Sequence, residues 1–168
     1  MASTINASNS GGGGIVQTGD GSGVLQLQTG SANAVTINAS QQVGIGTTSP
    51  STPLQVNGTT TSNTYVSPVV STLTDGATIT CNTAISNHFK VTLGGNRTFA
   101  LSATPSIGTY IVYFIQDATG SRTITWPSSN WKWAGGSAPV MTTTANKIDV
   151  LMMVSDGTTV YASMSLNY

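Results

Sequence analysis

The sequence predicts an all-β protein, and three observations predict it. Apolar residues alternate with polar ones, as in residues 24–28, and a period of two is that of a β-strand. Turn dipeptides such as Asp75-Gly76 and Asp156-Gly157 separate these segments, because glycine supplies the positive φ of a tight turn. No window combines apolar residues at helical spacing with capping residues, so no helix is expected.

Residues 1–58 are predicted to form an extended arm of short β-repeats. The segment Thr-Ile-Asn-Ala-Ser occurs twice, at 4–8 and 36–40. Two or three apolar residues per strand cannot offset an ordering entropy of about 1–2 kcal/mol per residue within one chain. The arm is therefore either disordered or, as we favour, intertwined with its copies in a homotrimer. The apolar pairs recur about every ten residues, at Leu25/Leu27, Val35/Ile37, Val43/Ile45 and Leu54/Val56.

The segment at residues 43–58 is the most structured part of this arm. Short strands are predicted at 43–45 and 54–56, where apolar residues alternate with glycine or with amide side chains. Pro50 and Pro53 fix the connection between the two strands and exclude a helix there.

A change in composition divides the chain after the arm. Residues 59–68 are rich in threonine and serine and are predicted to be a linker. Nine of the ten Lys, Arg and Asp residues, and all three tryptophans, lie beyond this linker. Residues 69–168 are therefore predicted to form a separate β-sandwich of jelly-roll-like topology.

The strands of the second half follow from the same alternation and from the turns. The runs at 110–115 and 150–154 are almost continuously apolar, so they are predicted to be central strands, buried on both faces or at a subunit contact. Asp156-Gly157 predicts a hairpin between the last two strands. Strands are expected at 69–73, 77–81, 89–93, 98–101, 110–116, 122–126, 140–143, 148–155 and 159–166.

Two groups of motifs resemble bacteriophage surface proteins. Residues 43–58 resemble the VGIGTxSPxxxLxVNG segment of phage tail-fibre and virion surface proteins. Residues 117–127 and 132–139 resemble the words DxTGxRTxTWP and KWxGGxxP of a C-terminal domain in such proteins, followed by an apolar strand at 148–151. The resemblance implies a virion protein and a trimer.

The composition excludes several classes of partner. Only 6% of the residues are charged, the formal net charge is zero, and glutamate does not occur. Nucleic acid binding is not expected, because it needs clustered lysine and arginine. No stretch approaches the roughly 20 apolar residues of a membrane span. Residues 1–4 lack the features of a signal peptide, so we expect synthesis in the host cytoplasm and a final location on the virion surface.

Residues that could support catalysis are few. His88 is the single histidine and no nucleophile motif adjoins it, so it is interpreted as a turn or solvated residue. Asp117 and Asp149 are the conceivable acid–base pair of a depolymerase. Cys81 is interpreted as a buried structural thiol, and one His with one Cys cannot supply a zinc site. We expect no enzymatic activity and no cofactor.

The tryptophans are the remaining candidates for a functional site. Trp126 is expected to end a strand and pack in the core. Trp131 and Trp133 would point to one side of an extended segment, with Lys132 opposite. Three interpretations stay open for these residues: bracing of a loop, a subunit interface, or contact with a host surface glycan.

The main functional hypothesis is a non-enzymatic, homotrimeric phage virion protein that decorates or cements the capsid. Its N-terminal arm would attach to the major capsid protein or to another virion protein. The alternative is a receptor-binding protein of a short tail fibre that contacts host glycan. Copy number per particle separates the two.

Overall fold

The computed structural model describes residues 21–29, 31–61 and 68–168. The chain divides into two compact units, Met1–Tyr65 and Val66–Tyr168. The described residues form thirteen strands and no helix, which confirms the all-β prediction. Across these same ranges no helical segment has the length and hydropathy of a membrane span. The first copy of the repeat, at 4–8, and most of the predicted linker lie outside the described residues.

The N-terminal unit is a four-stranded sheet in the order β1-β2-β3-β4. Its strands are β1 (Leu25–Thr29), β2 (Ala32–Ile37), β3 (Val43–Ile45) and β4 (Leu54–Val56). The first three are antiparallel neighbours, and β4 pairs parallel to β3. The structure thus confirms the two short strands predicted around the prolines at 50 and 53.

One face of this sheet is apolar throughout. The strand registers align the four predicted apolar pairs into two rows that cross all four strands. Directly paired residues lie on the same side of a sheet, so all eight side chains share one face. We call this the N-terminal apolar face. Its rows are Leu25–Ile37–Val43–Leu54 and Leu27–Val35–Ile45–Val56.

The opposite face is polar, and the β3–β4 connection covers it. Gly44 lies on this face, and a Cβ at that position would lie 2.5 Å from the Thr47 carbonyl oxygen, so only glycine fits. Pro50 and Thr36 are buried on the same side. The connection therefore shields the polar face at β2 and β3, leaves β1 exposed, and leaves the apolar face uncovered by the described residues of this unit.

The C-terminal unit consists of two packed sheets. One has six strands in the order β11-β13-β12-β9-β7-β5, and the other has three in the order β10-β8-β6. The nine strands are β5 (Val70–Thr72), β6 (Thr78–Cys81), β7 (His88–Leu93), β8 (Arg97–Leu101), β9 (Gly108–Gln116), β10 (Ile124–Thr125), β11 (Trp131–Trp133), β12 (Ile148–Ser155) and β13 (Val160–Ser165).

The strand pairing differs from the jelly-roll-like topology expected from the sequence. From β5 to β10 the chain alternates between the two sheets, and each strand pairs parallel to the next strand of its own sheet. A jelly roll is antiparallel throughout. Among the described residues of this unit, the antiparallel pairs are β9–β12 and β12–β13, and Gly157 with a φ of 91° turns the predicted β12–β13 hairpin.

The core lies between the two sheets and is closed. Aromatic and aliphatic side chains from both sheets meet there, including Phe89, Phe99, Phe114 and Leu151, each at most 1% exposed. Residues of β9 and β12 alternate between buried and more exposed positions. These central strands were expected to be buried on both faces or at a subunit contact. Within the chain only one face is buried.

Two predicted strands are shorter or missing because a buried side chain binds their backbone. The predicted strand at 140–143 is irregular, and that at 122–126 is reduced to β10. Gln116 Nε2 donates to the carbonyl oxygens of Arg122 and Thr142, and Gln116 Oε1 accepts from Arg122 N. Asp149 Oδ2 accepts from Thr142 N. These side chains take the place of a neighbouring strand.

Candidate functional site

An aromatic cluster closes one end of the core and carries the predicted site residues. Trp126 packs edge-on against Phe99 and Phe114, with ring centroids 6.1 and 5.5 Å apart. Trp131 packs edge-on against Phe99 at 6.1 Å, and Trp133 packs against Trp126 at 5.2 Å. Such edge-to-face contacts add to the hydrophobic stabilisation of these rings. The cluster therefore braces β11 against the core.

Strand β11 holds the three predicted site residues in an alternating arrangement. Trp131 and Trp133 are half-buried on the inner side, while Lys132 is exposed on the outer side, as predicted. Trp131 pairs with the buried Val160, and Lys132 pairs with Tyr161. The sequence predicts a loop at these residues, whereas in the structure they form an edge strand that pairs parallel to β13.

A surface cleft of about 480 Å³ opens beside Trp131 but not beside Trp133 or Lys132. Its floor is Phe99, Leu101 and Val160, and we call it the Trp131 cleft. Three connections form its walls: the turn after β8, the segment before β11, and the β12–β13 turn. Polar side chains on these walls are Thr104, Ser128, Ser129, Asn130 and Thr158.

Hydrogen bonds fix the three walls of this cleft. The buried Ser155 hydroxyl donates to Pro105 O at 2.9 Å, and Tyr110 Oη donates to Ser106 O at 3.0 Å. Val160 N donates to Asn130 O at 2.8 Å, which ties the second wall to β13. The third wall is held by Asp156, whose Oδ1 accepts from the backbone N–H groups of residues 158 and 159.

The outer side of the six-stranded sheet is a second apolar surface. Met152 and Val154 are 44% and 48% exposed, although both lie on the central strand β12. Met152 pairs with Ile111 on β9, and the next pairs on this side, Val150–Tyr113 and Ile148–Ile115, continue the surface. We call it the outer face of the six-stranded sheet, defined by Ile111, Tyr113, Ile115, Ile148, Val150, Met152 and Val154.

The conceivable acid–base pair has separate structural partners. Asp117 forms a salt bridge of 2.8 Å with Arg122 and accepts from Thr119 N and Gly120 N. The Arg122 hydrogen bond is the main reason that the pKa of Asp117 is lowered. Asp149 is 1% exposed, and its oxygens accept from the backbone N–H groups of Thr142 and Asn167. Both carboxylates hold loops in place.

Asp75, His88 and Cys81 also have structural surroundings within the C-terminal unit. Asp75 forms a bidentate pair with Arg97 at 2.7 Å, and this hydrogen bond lowers the pKa of Asp75. The His88 ring lies 3.1 Å from Asn87 Oδ1 at the start of β7. Cys81 is buried as predicted, and desolvation raises its pKa to about 12. Among the described residues, no three His, Cys or Asp side chains are grouped so that they could hold a metal ion.

Most residues of the Trp131 cleft have no recognisable signal in the sequence. The polar run Ser128-Ser129-Asn130 directly before Trp131 was the one local signal. The other walls come from segments about 25 residues away on either side, and the parallel pairing that brings them together is not visible in alternation or turn residues.

The C-terminal unit is an all-β domain with a surface cleft whose volume is that of a small-molecule binding site. Residues 56–160 match the family described as "Putative phage tail fibre C-terminal domain", and the chain belongs to this family. The match covers more than half of the chain and confirms the resemblance to phage tail-fibre proteins. Comparisons with curated proteins and with solved structures found no match.

Proposed function

We propose that this chain is a non-enzymatic structural protein of a phage tail fibre, and that its C-terminal unit contacts the host surface. The family match carries this assignment, because it covers residues 56–160 and describes a tail-fibre domain. The capsid-decoration hypothesis receives no support from this match. The tail-fibre alternative fits better and replaces it, with a location in the virion tail.

The proposed assembly is a homotrimer held together through the N-terminal apolar face. Eight aliphatic side chains lie on this face, and Leu27 and Leu54 are 50% and 61% exposed in the single chain. An uncovered apolar face of this kind is typical of an association surface. Copies related by a closed rotation axis would bury these rows against each other and expose the polar faces.

The outer face of the six-stranded sheet is the second contact proposed between copies. Its apolar residues form neighbouring rows on β9 and β12, where a monomeric domain would carry polar side chains. Burial against another copy would account for the almost continuous apolar composition of both strands.

The two units are proposed to have different partners within the virion. The N-terminal unit would join the fibre to another virion protein, while its apolar face is buried between copies of the chain. The C-terminal unit has a closed core and can present its loops to solvent. It would therefore be the part that meets host surface glycan.

A structural rather than catalytic role is supported by the aspartates. The four described aspartates each bind a guanidinium group or backbone N–H groups in a turn or loop. A glycosidase mechanism needs two carboxylates that flank the substrate, one of them with a raised pKa. Three of these aspartates instead have a lowered pKa.

Electron microscopy of labelled virions tests the proposed location. Antibody raised against residues 68–168 should bind the tail and leave the head unlabelled. Quantified protein bands should give far fewer copies than the major capsid protein. Labelling distributed over the head, with a copy number close to that of the capsid protein, would contradict the tail-fibre assignment.

A further inference from the structure

We propose that the Trp131 cleft binds a neutral oligosaccharide, with Trp131 as the aromatic surface against which a sugar ring packs. This inference rests on the proposed function, since it names the chemical class that the C-terminal unit would contact on the host. Trp131 supplies the aromatic surface, and hydroxyl and amide groups surround it. A pyranose ring has matching chemistry, with an apolar C–H face and a rim of hydroxyl groups.

The volume of the cleft and the absence of charged residues from its described lining favour a neutral oligosaccharide. About 480 Å³ lies within the roughly 300–1,000 Å³ of small-molecule sites. None of the described residues that line the cleft is ionisable. A carboxylate or phosphate group would lose hydration there without gaining a cationic partner. Uncharged sugars are therefore favoured over uronic acids and phosphorylated sugars.

The polar side chains around the cleft are available to a ligand. Within the described part of the chain, the side chains of Thr104, Ser128, Ser129, Asn130 and Thr158 form no intramolecular hydrogen bond. Hydroxyl and amide groups both donate and accept, as sugar hydroxyl groups do. The cleft can therefore pair several sugar hydroxyl groups without leaving a buried charge.

The walls are fixed before any ligand arrives. Ser155 and Tyr110 hold the turn after β8, Val160 holds Asn130, and Asp156 holds the third wall. Asn130 has a φ of 61°, a left-handed conformation that asparagine tolerates better than most residues. A preformed site loses less conformational entropy on binding than a mobile one.

The geometry separates the three residues that the sequence grouped together. Trp131 lines the cleft, whereas Trp133 packs against Trp126 and Trp131, with ring centroids 5.2 and 5.4 Å away, and lies outside the cleft. Lys132 is exposed on the other side of β11, where it cannot contribute a charge to the cleft. We assign sugar contact to Trp131 alone and a bracing role to Trp133.

Titration of the full-length protein with defined trisaccharides tests the proposal. The neutral probes are maltotriose, cellotriose, mannotriose, galactotriose and chitotriose, and the charged probe is trigalacturonate. Tryptophan fluorescence and calorimetry report binding at millimolar concentration. At least one neutral probe should bind, and trigalacturonate should bind at least about tenfold more weakly than galactotriose. Failure of every neutral probe, or preference for trigalacturonate, would overturn the proposal.

Matched variants identify the binding surface. Trp131→Ala should weaken binding of the positive probe about tenfold or more, a difference of about 1.4 kcal/mol. Trp133→Ala removes an equivalent ring from the same cluster and should leave affinity within about twofold. Trp131→Phe keeps an aromatic ring in the cluster and should retain intermediate affinity, which controls for loss of folding.

A charge placed at the rim gives an independent test. Asn130→Asp keeps the size of the side chain and a residue type that tolerates left-handed φ. The carboxylate cannot donate the hydrogen bonds that the Asn130 amide can donate to sugar hydroxyl groups, so the variant should weaken binding of the neutral probe without lowering the melting temperature. Equal loss of binding in Trp131→Ala and Trp133→Ala would contradict the assigned cleft. Unchanged binding in Trp131→Ala, or unchanged binding in Asn130→Asp, would also contradict it. Virion labelling over the tail would still support the fibre assignment in that case.

Discussion

The two units of the molecule form strands from the same alternating pattern but differ in what covers the apolar side. In the C-terminal unit, a three-stranded sheet lies over the apolar face of a six-stranded sheet, and Phe99 and Phe114 are almost fully buried between them. In the N-terminal unit, the described residues form one sheet whose rows of aliphatic side chains remain partly exposed.

Regular strand pairing is common to both units, but among the described residues only the C-terminal unit encloses a buried apolar core. Backbone hydrogen bonds set the register of both units, but burial of apolar area is the main favourable contribution to folding free energy. The C-terminal unit obtains that burial within one chain. The N-terminal unit has the registered strands but no cover among the described residues, and the proposed homotrimer would supply the missing burial.

The largest expected difference between the two units is the loss of stability when a core aromatic ring is removed. Phe114 is fully buried and packs edge-on against Phe99 and Trp126, so Phe114→Ala should lower the free energy of unfolding by about 3–5 kcal/mol. Chemical denaturation measures this loss. Leu54→Ala in the N-terminal sheet is the control and should leave the unfolding of the C-terminal unit unchanged. Comparable losses would mean that the units are not energetically distinct.

Deletion of residues 1–58 should change assembly more than stability. The remaining chain keeps the closed core and should unfold cooperatively at nearly the temperature of the C-terminal unit in the full protein. It should no longer join the virion. Scanning calorimetry and incorporation into phage particles measure the two effects. Full incorporation of the truncated chain would place attachment in the C-terminal unit.

Acid should destabilise the C-terminal unit only weakly and only at low pH. Hydrogen bonds from Arg97, from Arg122 and from the N–H group of Thr159 are the main causes of the lowered pKa values of Asp75, Asp117 and Asp156. A lowered pKa adds stability above the unfolded value near 4, and this is lost as pH falls through the folded values.

Thermal melts across pH measure that dependence. The melting temperature should be nearly constant from about pH 5 to pH 9 and fall below about pH 4. Arg97→Ala should make the acid transition shallower, because Asp75 loses the hydrogen bond that lowers its pKa. A steep loss between pH 7 and pH 5 would require a buried group that these hydrogen bonds do not explain.

The smallest effect is expected at Cys81. Burial raises the pKa of this thiol to about 12, so the reactive thiolate is scarce in the folded protein at neutral pH. A thiol reagent should label the native protein very slowly and the denatured protein at once. Above pH 9 the unfolded chain ionises first, which adds a small loss of stability in alkali. Rapid labelling of the native protein would show that the core opens.

Local features of the fold could be predicted because they depend on neighbouring residues. The alternation at residues 24–28 and the turn at Asp156-Gly157 each specify a strand or a hairpin without reference to the rest of the chain. The apolar pairs of the N-terminal sheet also follow from alternation. Strand existence is therefore a property of short segments.

Pairing and the cleft depend on contacts that no short segment encodes. The sequence of β11 predicts a loop, because glycines and a proline surround the two tryptophans. Pairing with β13 nevertheless holds this segment in an extended conformation. The sequence at 140–143 predicts a strand. The segment is irregular in the structure, because the side chains of Gln116 and Asp149 form hydrogen bonds with its backbone. Trp131 could be proposed as a contact residue, but the walls of its cleft could not.

Light scattering on the purified full-length protein tests most directly whether copies complete the N-terminal sheet. A homotrimer should give a mass about three times the 17.1 kDa of one chain. Leu27→Lys places a charge on the N-terminal apolar face and should lower the mass toward that of a monomer, whereas Gln26→Lys on the polar face should not. A wild-type mass of one chain at micromolar concentration, with the N-terminal sheet intact, would show that copies of the chain do not complete this sheet.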